Sequence, residues 1–69
     1  MEEKFCELIK RLRVENGMSI NELARKTDLT SAEIRNIEKG TNKPQVKRLK
    51  LLSEALNCDY NILFDSLYN

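Results

Sequence analysis

Six cations stand between Arg35 and Lys50: Arg35, Lys39, Lys43, Lys47, Arg48 and Lys50, with Glu38 as the one acid among them. Six positive charges less one negative make that window +5, while the whole 69-residue chain is only +1. The acids gather at the ends, as Glu2, Glu3 and Glu7 and then Glu54, Asp59 and Asp65. Cations concentrated in this way suit contact with a phosphate backbone, which Lys and Arg neutralise with release of counterions. A solvated charged face is the other reading that charge alone allows. Catalysis has no comparable support: the chain has no histidine, no glycine-rich phosphate loop and no metal-ligand cluster. Its two cysteines, Cys6 and Cys58, are far apart and show no C-x-x-C spacing, so they read as small apolar fillers rather than a disulfide or a zinc site. The chain is read as a non-enzyme that needs no cofactor and no metal.

The segment around which the chain is organised, and which carries the first two of these cations, is Ser19 to Gly40. Ser19-Ile20-Asn21-Glu22 and Thr30-Ser31-Ala32-Glu33 are two capping boxes, each a hydroxyl residue followed three positions later by a glutamate. Lys26-Thr27-Asp28-Leu29 forms a turn between them, and Gly40 can take the left-handed conformation that ends a helix. Leu23 and Ala24 face inward from the first helix, Leu29 plugs the turn, and Ile34 and Ile37 share one face of the second. Two short helices joined in this way are a helix-turn-helix, whose second helix can enter a DNA major groove. Around them, Phe5, Ile9 and Leu12 give a first helix from about Glu3 to Glu15, ended by Asn16-Gly17. Val46, Leu49, Leu52, Ala55 and Leu56 give a fourth helix from about Val46 to Leu56, with Asn57 as its left-handed exit. Asp59 can cap a last helix from Tyr60 to about Asp65 that buries Leu63 and Phe64. Leu8, Leu51, Ile62, Leu67 and Tyr68 are apolar residues left over from these stripes; the tail with Leu67 and Tyr68 could pack back on helix 1 near Leu8 or meet a second chain. One proline, two glycines and helical spacing throughout predict an all-α chain, read as one domain over residues 1–69 with a last helix and tail over 59–69. No apolar segment approaches the roughly 20 residues needed to span a bilayer. The acidic, amphipathic start MEEKFCELIK is not a signal peptide, so a cytoplasmic location is expected.

Ser19 to Gly40 resembles the helix-turn-helix of the phage repressor and Cro class, the XRE family. The likeness extends to Phe5, Ile9, Leu12, Arg13 and Gly17-Met18-Ser19, to Gly40-Thr41-Asn42-Lys43-Pro44, and to Leu49, Leu52, Ala55-Leu56-Asn57-Cys58 and Leu63-Phe64. It implies a compact five-helix lambda-repressor-like domain with the helix-turn-helix at helices 2–3. By the same resemblance Ser31, Ala32, Glu33 and Asn36 face the bases. Asn36 suits a bidentate contact to adenine, Ala32 a thymine methyl and Glu33 cytosine N4, although Glu33 also closes the cap of its helix. Phosphate contacts are implied for Ser19, Arg35, Lys39, Thr41, Asn42, Lys43 and Lys47. Arg13 is expected to pair with Glu38 and lock helix 1 to helix 3, which with the cap leaves Glu33 and Glu38 structural rather than an acid–base pair. Family dimer contacts fall near Val46, Cys58 and Tyr60. Two residues depart from the family pattern: Ile20 replaces a glutamine that reaches phosphate, and Asp28 replaces a glycine of the turn.

The function expected is a sequence-specific double-stranded DNA-binding transcriptional regulator. It would be a homodimeric repressor of an inverted repeat, such as a phage, mobile-element or restriction-modification controller, and the chain could be whole or a fragment. The rival reading is a protein-interaction module of the same fold, antitoxin- or adaptor-like. The near-neutral charge, Ile20, acidic Asp28 and Glu33, and the surplus apolar residues favour that rival.

Overall fold

Local capping decides where the second and third helices begin and helps to set the starts of the first and last helices. The computed structural model describes residues 3–68, arranged as α1 (Phe5–Glu15), α2 (Ile20–Thr27), α3 (Ser31–Lys39), α4 (Val46–Ala55) and α5 (Tyr60–Tyr68). No strand occurs among the described residues. Helix α1 starts two residues later than its apolar spacing suggests, because Lys4 is extended (ψ 156°) and its N–H donates to Glu7 Oε1 at 2.8 Å. Helix α5 starts on Asp59, whose Oδ1 accepts the Asn61 N–H at 2.8 Å. The exits expected to be left-handed are so: Gly17 (φ 68°), Gly40 (φ 83°) and Asn57 (φ 54°).

Ile9, Leu23, Ile34, Ile37, Leu49, Leu52, Leu56 and Leu63 form the fully buried centre. All five helices contribute to it, so each amphipathic face finds a partner. Four expectations need correction. Leu8 and Leu67 are not surplus: both are buried in the core cluster where α1 packs on α5, the first of the two places open to the tail. Burial of Leu67, four residues after Leu63, carries α5 on to Tyr68 instead of ending near Asp65. Phe64 is 38% exposed, because the residue next to buried Leu63 lies about 100° further round the helix. Val46, assigned to the core face of α4, is 52% exposed at that helix's first position.

A polar clamp joins the exits of α1 and α4. Asn16 Nδ2 donates to the carbonyls of Leu12 (2.7 Å) and Leu56 (3.0 Å), and Asn57 Nδ2 donates to Asn16 Oδ1 at 3.0 Å. Both cysteines are free and half-buried. Burial, aided by the neighbouring Asp59 charge, pushes the Cys58 thiol up. Among the described residues no helix is long and apolar enough to cross a membrane.

Candidate nucleic-acid interface

Both capping boxes close. Ser19 Oγ accepts the Glu22 N–H at 3.1 Å, and Glu22 Oε1 accepts the Ser19 N–H at 3.1 Å. Thr30 Oγ1 accepts the Glu33 N–H at 3.1 Å, and Glu33 Oε1 accepts the Thr30 N–H at 3.0 Å. These bonds, the backbone one foremost, hold both carboxyls below the usual carboxylate range. The Glu33 carboxylate is therefore engaged at the start of α3. The Ser19 hydroxyl is engaged in the same way at the start of α2.

Between the helices the chain reverses at Asp28, which is left-handed (φ 57°), as an aspartate tolerates better than most residues. Asp28 is exposed, and Arg48 of α4 reaches it, Nη1 to Oδ2 at 3.5 Å. Of the six cations between Arg35 and Lys50, Arg48 thus has an acidic partner in the turn. Thr27 is fully buried because its hydroxyl donates to the Leu23 carbonyl at 2.7 Å, which lets a polar side chain sit inside.

Two contacts orient α3. Ile34 and Ile37 bury its inner face. At its far end Arg13 Nε donates to Glu38 Oε2 at 2.8 Å and Nη2 to Oε1 at 3.2 Å, a two-pronged contact, while Nη1 donates to the Met18 carbonyl at 2.9 Å. The opposite face leaves Ala32, Arg35, Asn36 and Lys39 exposed. Ser31 is half-buried, and its hydroxyl donates to Asn21 Oδ1, tying the start of α3 to α2. Of the four base-facing candidates, Ala32 and Asn36 thus present free side chains, whereas Ser31 and Glu33 serve the helix start.

The loop after α3 is fixed at both ends. Thr41 donates twice to the Asn36 carbonyl, from its N–H (3.0 Å) and from its hydroxyl (3.2 Å), so its hydroxyl proton points back at the helix. Pro44 is buried. Asn42, Lys43 and, on the first turn of α4, Lys47 stand exposed. Lys39, Asn42 and Lys43 share one cleft with Lys4 of the α1 entry. The Asn21–Ser31 and Arg48–Asp28 contacts were not legible in the sequence, because they cross between elements and only the packing brings the partners together.

Two capped helices crossing at a left-handed turn, the second outward-facing and followed by a cationic loop, define a helix-turn-helix protein. The helix-turn-helix family profile matches residues 9–63. The chain belongs to that family, as an XRE-type member of a class of DNA-binding transcription regulators. It is 34% identical over 61 residues to YqaF of Bacillus subtilis, an uncharacterised HTH-type transcriptional regulator, covering 88% of this chain and 80% of that one. It is 36% identical over 59 residues to RC0668 of Rickettsia conorii, a protein described in the same words, covering 86% of this chain but only 47% of the relative. The fold is similar to SinR in its complex with SinI (TM-score 0.81, 29% identity, 88% of this chain and 60% of that one). It is also similar to a variant of the restriction-modification controller C.Esp1396I bound to its highest-affinity operator site (TM-score 0.76, 30% identity, 93% and 84%).

Proposed function

We propose that this chain is a cytoplasmic, sequence-specific regulator that binds double-stranded DNA as a homodimer and represses transcription. Each α3 lies in the major groove, with half-sites of an inverted repeat about one helical turn apart. The observation that carries the reading is the free outer face of α3, where Ala32 and Asn36 are exposed beside Arg35 and Lys39. Asn36 reads adenine and Ala32 a thymine methyl. Arg35, Lys39, Asn42, Lys43 and Lys47 hold phosphates and fix register. Ser19 and Thr41 contribute there chiefly through backbone groups, since their hydroxyls have partners within the fold. With only two free base readers, discrimination rests in part on DNA shape. The dimer surface includes Val46, Cys58 and Tyr60. Its support is exposed Val46 and the ring ladder that Tyr60 begins, with Tyr60–Phe64 centroids 5.8 Å apart and Phe64–Tyr68 4.7 Å. The operator-bound neighbour adds support from outside the chain.

The second reading, a protein-interaction module, is favoured by exposed Ile62, Phe64 and Tyr68 and by the neighbour found in complex with another protein. Selection from random duplex DNA at near-physiological salt, with wild type and Asn36→Ala side by side, separates the two. The DNA reading expects an inverted repeat that blurs at one position of each half-site in the variant, by about 1–3 kcal/mol. Absence of any enriched site would favour the protein partner.

A further inference from the structure

A cleft of about 720 Å³ opens where the C-terminal end of α3, the Gly40–Lys43 loop, the entry of α1 and the last turn of α5 meet. Three lysines line it: Lys39 and Lys43 from the end of α3 and its loop, and Lys4 from the entry of α1. Among the described residues none of the three is in an ion pair. Two acids share the cleft, Glu3 and Asp65, but Glu3 is held by Arg11 (Nε to Oε2 at 2.9 Å). The α1 entry cannot drift away from the loop, because Cys6 packs at Gly40: a Cβ there would sit 3.5 Å from Cys6 Sγ. Lys4 and Lys43 thus line one cleft, although 39 residues separate them in the chain.

We propose that Lys4 is a further DNA-backbone contact, so that the phosphate-binding surface runs from the loop across the cleft to the entry of α1. This rests on the DNA-binding function proposed above. Three lysines against Asp65, the one acid of the cleft not held by an arginine, leave the opening cationic, and a polyanion laid across it would neutralise that excess while releasing counterions. Lysine suits this task, being a point charge on a flexible stem that needs no fixed geometry. A small anion held inside the cleft fits less well. Among the described residues no buried side-chain nitrogen or oxygen lacks a partner, so no group waits inside for a ligand. Lys4 is exposed, as are Lys39 and Lys43, which the DNA reading already sets against phosphate.

The test is the salt dependence of binding for wild type, Lys4→Gln, Lys4→Arg, Lys43→Gln and Lys26→Gln, on a selected operator and on random-sequence duplex. Lys26 is exposed and lies by a different depression, near Glu54 and Asn57, so its variant controls for lost charge alone. The expected result is a log K against log salt slope shallower by about 0.9 for Lys4→Gln on both duplexes. Lys4→Arg should keep the wild-type slope, and Lys26→Gln should leave it unchanged. An unaltered slope for Lys4→Gln, or an equal change for Lys26→Gln, overturns the inference. If Lys43→Gln flattens the slope and Lys4→Gln does not, only the role of Lys4 falls. If the wild type binds no DNA at any salt, the DNA reading fails and the inference falls with it. Melting temperature reports folding separately and should not move, since Lys4 is exposed.

Discussion

Cutting the Arg13–Glu38 pair should cost this small domain a large share of its stability. The side chains are 12% and 8% exposed, so each charge has exchanged most of its water for the other. Glu38→Ala leaves the Arg13 guanidinium with the Met18 carbonyl alone, and Arg13→Ala leaves a buried carboxylate with no cation. Breaking one side of a buried pair costs about 3–5 kcal/mol. Arg13 keeps some water contact and one carbonyl, so about 2–4 kcal/mol is expected for Glu38→Ala. At about 0.05–0.15 kcal/mol per residue a chain of this length has only about 4–10 kcal/mol in hand. Arg13→Lys keeps the charge but loses the fork that grips both oxygens and should still cost about 1 kcal/mol or more. The sharper test is Arg13→Met with Glu38→Leu. Each single change should be costly, yet the double variant should come close to wild type, because two apolar side chains of similar volume can fill the space. Urea unfolding followed by far-UV circular dichroism gives the four stabilities of the cycle. Coupling of about 2 kcal/mol is expected. Additive single effects, with coupling below about 0.5 kcal/mol, would refute the claim that burial makes the pair a structural lock.

Two other consequences concern the helix ends. Glu22 and Glu33 titrate below their usual value near 4.5 in the folded chain, so their contribution to stability is complete above that pH. It is lost as pH falls through the depressed folded values. Acid titration of the unfolding midpoint should show this loss, and Glu22→Gln with Glu33→Gln should flatten the acid limb; an unchanged limb would rule the caps out as its source. Gly40→Ala should destabilise by about 1 kcal/mol because φ is 83°, not because of crowding, as the nearest atom would be at 3.5 Å. Relieving the contact with Cys6→Ala in the same chain should therefore not rescue it, and rescue in the melting temperature would reverse that assignment.

What the sequence determined by itself was everything built from neighbours along the chain. The two caps, the left-handed Gly40 and Asn57, and the spacing of Ile34 with Ile37 are settled within a few residues, since a cap bond or a helical stripe needs no distant partner. The candidate recognition helix was legible for that reason, whereas Asn36 on its outer face and the Arg13–Glu38 pair were legible through family resemblance. Tertiary packing decided the rest. Leu8 and Leu67 look superfluous until α5 crosses α1 and buries both. Ser31 looks like a base reader until α2 brings Asn21 to its hydroxyl. Arg48 belongs to a run of cations in the sequence, but the packing of α4 on α2 turns it to Asp28. Lys4 sits far from the basic window in sequence and beside it in space. A contact between helices depends on the angle and distance at which they pack, and these are set by the whole core rather than by any stretch of residues.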